Sequence, residues 1–484
     1  MGASPRSLFA IFCVAITLTG SEAFAAGLEL PGTGTRALAR GGAFTALADD
    51  LTAIAHNPGA LIKLRGTSVL LTNNFFLKDE RFTRAETLLE EDRFANAELY
   101  GISPLEEVRN ESDFFPLGPV LAAGSDFGLE NFVFAFGVYG PNSPGSAKWP
   151  VDGGQRYMLT EQDALLFYLT SSMAYGVRDV FGIGLSAQVV MAPQMRLQLV
   201  IDGSPNSTQT LNPYASSNDV ESIVEVQDNF TFSAILGAWW RPVESFEIAL
   251  SGRVIPINID AKGDFSLRNV PNQTQFTDPR LEVSDSSARL QFSIAPTARL
   301  GLRYRYLEDT VERFDIELDL VYEAWSTMDA THLELNGVIN LFGGDKETPD
   351  ALVDRQWSDT LSVRLGGSVN FADWATFSTG AYYETGAVPS NYEHVDFFSF
   401  DRVGLGLGFG GDFDVFRFMV AYMHVFQEPR SVSEAFGKVF QQRPLSPCPD
   451  ECLTGETGVS GVPVNAGTFK SSYDIFSLSL EANF

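Results

Sequence analysis

The chain has 484 residues and a formal net charge of −28; 45% of its residues are hydrophobic, 12% are aromatic, including 39 Phe, and only 19% are charged. So apolar a composition requires burial and excludes a disordered chain, and the acidic balance excludes nucleic acid as a partner. Length does not set the number of domains, because β-barrels run far beyond the usual domain size as single units.

Residues 1–25 read as a secretory signal peptide. Arg6 supplies the basic start, residues 8–18 a short apolar core, and Ala23-Phe24-Ala25 a small-x-small cleavage site. The mature chain is expected to begin near Ala26; losing Arg6 and Glu22 removes one charge of each sign and leaves the net charge as it was. Beyond it there is no run of about 18 apolar residues, so any membrane span must be a strand.

Residues 26–66 differ from everything that follows. Residues 35–64 are rich in Ala and Leu and carry helix signals. Asp50 is placed to cap a helix running through Ala55, and Asn57-Pro58 is an N-cap followed by proline at the first helical position, ahead of a short helix over residues 59–64. A segment this small does not fold alone in water, but it can close the lumen of a wide barrel as a helical hatch.

From residue 67 to 484 the chain alternates apolar and polar residues, the period that sends neighbouring side chains to opposite faces of a sheet. Phe314, Ile316, Leu318, Leu320 and Tyr322 interleave with Asp315, Glu317, Asp319 and Glu323. Over residues 289–306, Leu290, Phe292, Ile294, Leu300, Leu302 and Tyr304 take one side, and Arg289, Gln291, Ser293, Arg299, Arg303 and Arg305 the other. Fourteen such segments begin near Gly66, Phe115, Glu130, Gln162, Val180, Ser222, Glu244, Asp285, Glu312, Arg355, Asp373, Phe400, Asp414 and Phe469. Short connections (Arg178-Asp179, Pro242-Val243, Ala372-Asp373) alternate with long ones, as periplasmic turns alternate with extracellular loops. The expected fold is therefore all-β: a 14-stranded antiparallel transmembrane β-barrel plugged by a small N-terminal helical hatch. The last segment ends on Phe484, an aromatic terminus of the kind the barrel assembly machinery reads. A closed barrel has no edge to pair, so a monomer is expected, set in outer-membrane lipid and lipopolysaccharide.

Cys448 and Cys452 stand in a Pro-rich stretch; an oxidising compartment favours a disulfide between them, and two ligands are too few for a metal. The histidines His56, His332, His394 and His424 are scattered over hatch, loops and a strand, with no nucleophile beside them, so an enzyme is not expected and no cofactor is implied. If Phe416, Phe418, Val420 and Tyr422 face lipid, Met419 and Met423 face inward, as do Leu166 and Tyr168. These four are candidates for an apolar ligand pocket or for packing against the hatch. Leu405, Leu407 and Phe409 alternate with Gly404, Gly406, Gly408 and Gly410, leaving one lumenal row bare.

The stretch Gly41-Gly42-Ala43-Phe44, Ala48-Asp49-Asp50 and His56-Asn57-Pro58-Gly59-Ala60-Leu61 resembles the hatch of the FadL family (OMPP1/FadL/TodX), with Gly59 where the family has alanine. Tyr322-Glu323-Ala324-Trp325-Ser326, Thr385-Gly386-Ala387-Val388-Pro389, Asp401-Arg402 and Ala421-Tyr422-Met423-His424 follow the family's C-terminal half in order. The resemblance implies passive uptake of hydrophobic molecules across the Gram-negative outer membrane, most often long-chain fatty acids, and in some members aromatic hydrocarbons or alkanes. A purely structural or adhesive barrel is the remaining alternative, and it predicts no hatch. The resemblance also implies capture between loops, a lumenal site, and lateral exit through a kinked third strand, for which Gly137 is the candidate kink or else an ordinary weak spot. By the match of their strand positions to the family's carboxylate contacts, the resemblance further implies Arg196 and Arg355 as contacts for a carboxylate; pairing of lumenal arginines with the acidic row of Asp315, Glu317 and Asp319 is the competing reading.

Overall fold

The computed structural model describes residues 29–85, 106–112, 114–116, 119–143, 145–202, 219–270, 282–328, 330–341, 344–347, 351–442 and 459–484. The expected signal peptide, Cys448 and Cys452 lie outside the described residues.

Fourteen staves close into one antiparallel barrel. β1 is Thr67–Arg84; β2 is assembled from Val108–Arg109, Phe114–Pro116 and Val120–Ser125, and β3 from Phe132–Tyr139 and Ser146–Lys148. β4 is Glu161–Val177, β5 Phe181–Asp202 and β6 Asp219–Val243. β7 joins Phe246–Ile255 to Ile257–Asn269, β8 joins Glu282–Ile294 to Thr297–Glu308, β9 joins Val311–Glu323 to Ala330–Leu341, and β10 joins Ala351–Asp354 to Thr360–Ala372. β11 is Ala375–Glu384, β12 Arg402–Phe413, β13 Phe416–Gln427 with Arg430–Val432, and β14 Gly467–Asn483. β14 returns to pair with β1 from Ser68↔Asn483 to Arg84↔Gly467, so the ladder has no free edge. Each expected segment corresponds to one stave. The turn after β6 falls at Glu244-Ser245, because Pro242 and Val243 still belong to the strand.

The hatch comprises α1 (Thr35–Ala39), α2 (Ala53–His56) and a 3₁₀ helix, Pro58–Lys63. Asn57 caps that helix as expected, its Oδ1 accepting the Gly59 N–H at 3.1 Å with Pro58 in the first position. Asp50 acts one turn earlier than α2, accepting the Thr52 N–H at 2.8 Å. Hatch and wall are joined by carboxylates on β9. Asp319 accepts the Phe44 and Thr45 N–H groups, both at 2.9 Å, and Glu317 accepts the Ala46 N–H at 2.6 Å. Arg40 lies 2.7 Å from Asp315 and 3.2 Å from Glu317. The bare glycine row of β12 is filled by α1: a Cβ on Gly406 would lie 2.4 Å from the Leu38 carbonyl oxygen, and one on Gly408 2.6 Å from the Ala39 methyl.

Staves β7 and β8 are interrupted at Pro256 and Ala295-Pro296, where proline has no N–H for the ladder, and β9 is interrupted around a 3₁₀ turn, Trp325–Thr327. On the short-turn side of these breaks the lumenal face is polar and the outer face apolar. In β7, Glu247 and Arg253 are buried inward while Leu250 and Val254 are exposed. On the long-loop side the order inverts: Ile257, Ile259 and Phe265 are buried, and Asp260 and Lys262 face out. In β8 the break also shifts the phase, so Leu290 and Ile294 point inward together with Arg303, and Arg289 turns outward to Asp260 at 2.6 Å. This corrects the expectation that one continuous polar row, including Arg289, faces the lumen: a one-residue slip exchanges the two faces of a strand. The chamber above the hatch is apolar because of that exchange.

Gly59 abuts the wall, and a Cβ there would stand 2.7 Å from the Gly237 carbonyl oxygen. Backbone cannot yield cheaply. Restoring the family's alanine with Gly59→Ala is expected to cost about 1–3 kcal/mol of hatch packing, seen as a lowered midpoint in thermal unfolding followed by the hatch's resistance to protease.

Candidate functional site

Above the hatch lies a chamber of about 550 Å³. Its inner wall is supplied by Leu166 of β4, Met195 of β5, Leu290, Phe292 and Ile294 of β8, and Trp357 and Phe397 from the segments flanking β10 and β11. Trp357 stands edge-on to Trp325 at 5.2 Å and to Phe397 at 6.4 Å, so the aromatic floor is rigid.

The chamber does not end at the wall. Leu121 and Leu165, 53% and 50% exposed on the outer face, line it as well. The reason is an interruption of β3. Residues 140–143 lie outside the strand segments of β3, and the described β2–β3 ladder stops at Leu121↔Val138. The two staves meet again where the Glu111 N–H donates to the Lys148 carbonyl at 2.6 Å and the Ser112 and Ser146 hydroxyls pair at 2.8 Å. Among the described residues the stretch between these closures is a window, bordered by Pro119, Val138, Tyr139, Gly140, Pro141 and Ser143, all of which line the chamber.

Two arginines line the chamber: Arg355 from within, and Arg196 on the strand face that it shares with Asp163 and the exposed Glu225. Arg196 lies 3.5 Å from Glu225, and its Nε has no hydrogen-bond partner. Arg355 is held at 2.6 Å by Asp396, which also pairs with His394 at 2.7 Å. Burial would raise the Asp396 carboxyl, but Arg355 and His394 outweigh it and hold it well below the usual carboxylate range.

The sequence matches the outer membrane protein transport protein family (OMPP1/FadL/TodX) over residues 16–442. The chain belongs to this family. Among solved structures it is similar to a Pseudomonas aeruginosa FadL homologue at 17% identity and a TM-score of 0.71, covering 95% of this chain and 100% of that one. It is also similar to the P. putida toluene transporter TodX, at 13% identity, TM-score 0.64 and coverage of 94% and 99%. The CymD monoaromatic hydrocarbon channel aligns at 14% identity, TM-score 0.59 and coverage of 95% and 99%. No curated protein sequence matches. As an OMPP1/FadL/TodX member the chain is an outer-membrane transporter of hydrophobic compounds, and the relatives found are transport channels rather than enzymes.

Within this FadL-type barrel, Arg196, Arg355 and Leu166 come together in the chamber. Tyr168 lies beneath it, fully buried, with its hydroxyl 3.1 Å from Glu29. Met419 and Met423 lie elsewhere, packed with Leu38 and Ala39 of the hatch. Gly137 sits in unbroken pairing, opposite Ala122 and Thr170, and its missing side chain makes room for Ile54 of the hatch; the interruption of β3 comes three residues later. Of the lumenal arginines, Arg303 joins the acidic row through Asp315 at 2.9 Å. Sequence reading did not single out Trp357, Phe397 or Met195. Pro141, within Gly140-Pro141-Asn142, was the available signal for the interruption, since proline and glycine leave a central ladder.

The connection after β11 also supplies Glu393, fully buried beside Arg430 at 2.9 Å. Burial pushes its carboxyl up to about 8 against the pull of Arg430. The folded connection then keeps a proton that an unfolded one releases near the ordinary carboxylate value, so its packing is strongest in acid and weakens as pH rises through about 8. Hydrogen exchange over residues 386–400, corrected for intrinsic rates, is expected to be faster at pH 9 than at pH 6, and Glu393→Gln is expected to remove the difference.

Proposed function

We propose that this chain is a passive channel for long-chain fatty acids. The ligand descends from the extracellular loops into the chamber and leaves sideways through the β2–β3 window into the outer leaflet. The observation that carries this reading is the chamber itself: an apolar cavity closed toward the hatch, holding arginine side chains and continuous with the outer face at Leu121 and Leu165. Chain burial supplies affinity without an energy source, at about 25 cal/mol per Å² of apolar surface. Arg196 and Arg355 are the proposed carboxylate contacts. Phe484, 72% exposed at the end of β14, is the proposed signal to the assembly machinery, and the barrel is read as a monomer bordered by lipid and lipopolysaccharide.

A second reading, uptake of aromatic hydrocarbons, is favoured by the pairing of both arginines with carboxylates, which leaves little net charge for an acid to meet. TodX and CymD are described as toluene and monoaromatic hydrocarbon channels.

Uptake of radiolabelled oleate and toluene by cells carrying this chain separates the two. Phe292→Glu places a charge in the chamber and is expected to reduce both. Arg196→Met with Arg355→Met is expected to lower oleate uptake about tenfold or more, from loss of charge-assisted hydrogen bonds, and to spare toluene. Oleate uptake that survives the double change moves the assignment to hydrocarbons.

A further inference from the structure

Directly beneath the chamber is a second, smaller cavity of about 20 Å³, which shares Glu29, Tyr139, Gly140 and Pro141 with it as common wall. Its floor is cationic. Arg253 of β7 is only 7% exposed; its guanidinium lies 3.8 Å from Glu29 and its Nε has no partner. Arg299 of β8 also lines it, donating to the carbonyl oxygens of Ala55 and His56 at 2.9 and 3.4 Å, again with Nε unpartnered. Among the described residues Arg299 has no carboxylate within ion-pair distance. Glu29 is the one carboxylate within ion-pair distance of this pair among the described residues, with buried Glu323 farther off, and its side chain also accepts the Tyr168 hydroxyl at 3.1 Å. A buried guanidinium left unmatched is costly, so this site is built for an anion.

The anion now there is carried on a strap. The segment around Glu29 is held to the wall by its backbone: the Leu30 N–H donates to the Asn142 carbonyl at 2.8 Å, the Asn142 side chain donates to the Leu30 carbonyl at 2.8 Å, and Arg402 donates to the Glu29 carbonyl at 2.9 Å. Its carboxylate can therefore leave while the hatch stays in place. Arg196 and Arg355 differ, because their partners Glu225 and Asp396 sit on β6 and on the β11–β12 connection, outside any strap.

We propose that Arg253 and Arg299 form the head-group site for a long-chain carboxylate whose tail fills the chamber, and that Glu29 is its displaceable internal competitor. This rests on the transport reading above and adds to its carboxylate contacts, Arg196 and Arg355, a deeper site that favours an acid over a hydrocarbon. Exchange of one carboxylate for another keeps the charge balance of the buried pair, whereas a neutral ligand has nothing to gain there. Because Asn142 belongs to the interrupted part of β3, release of the strap also frees one border of the window.

The test is equilibrium binding of palmitate and of hexadecanol, matched in chain length, to the full-length protein in nanodiscs. Glu29→Gln is expected to tighten palmitate about tenfold, the size of one charge-assisted contact, with a smaller effect on hexadecanol. Arg253→Met and Arg299→Met are each expected to abolish the preference for the acid; Glu29→Gln guards against misfolding of the arginine variants, since it leaves the wall intact. Unaltered palmitate binding in Glu29→Gln, or a preference lost only in the Arg196→Met and Arg355→Met variants, overturns the head-group site. A wild-type protein that binds neither probe overturns the transport reading instead.

Discussion

The structure depends on a few carboxylates on β9. Fourteen staves enclose a lumen too wide for their own side chains to fill, so without a plug the barrel would be a water-filled pore. The plug is too small to fold alone, and it is fixed in place by polar contacts: Asp319 and Glu317 accept its backbone N–H groups, and Asp315 and Glu317 hold Arg40. Buried N–H groups and a buried guanidinium must find partners, so the hatch cannot slide out along the axis without leaving both sides unsatisfied. With the axial route closed, the chamber's continuity with the bilayer side of the wall is what the proposed lateral exit relies on.

The same requirement explains how much of the molecule was legible in the sequence. Lipid on one side and hatch or water on the other force period-two alternation, so all fourteen staves could be read, and Asn57-Pro58 announced the 3₁₀ helix of the hatch. Alternation separates two faces without saying which is inner. Leu290 and Leu300 look like members of one row, yet Ala295-Pro296 lies between them and places Leu290 in the chamber while Arg299 lines the cavity beneath it. Met419 and Met423 were correctly directed inward, but whether an inward residue meets ligand or hatch depends on where α1 ends, which no strand pattern records. Gly137 drew attention as the glycine within the alternating run, yet its ladders to β2 and β4 are continuous and the strand segment ends only after Tyr139.

Charge decides the remaining question of what the chamber takes. Its apolar lining suits a fatty acid tail and an aromatic hydrocarbon equally, because burial free energy follows area and is blind to the rest of the molecule. Discrimination must come from the polar groups: in the low-dielectric lumen Arg355 is matched by Asp396, whereas Arg299 has no carboxylate at ion-pair distance among the described residues. An incoming carboxylate gains less from an arginine whose partner is fixed, as Asp396 is beside Arg355, since three groups then share two charges. It gains where the resident carboxylate can move aside into water and recover its hydration. Asp396 is buried against both Arg355 and His394, whereas Glu29 rides on a segment tied to the wall by backbone hydrogen bonds that do not involve its carboxylate. On this proposal, selection of an acid rests on whether Glu29 can give up its place more than on the number of arginines.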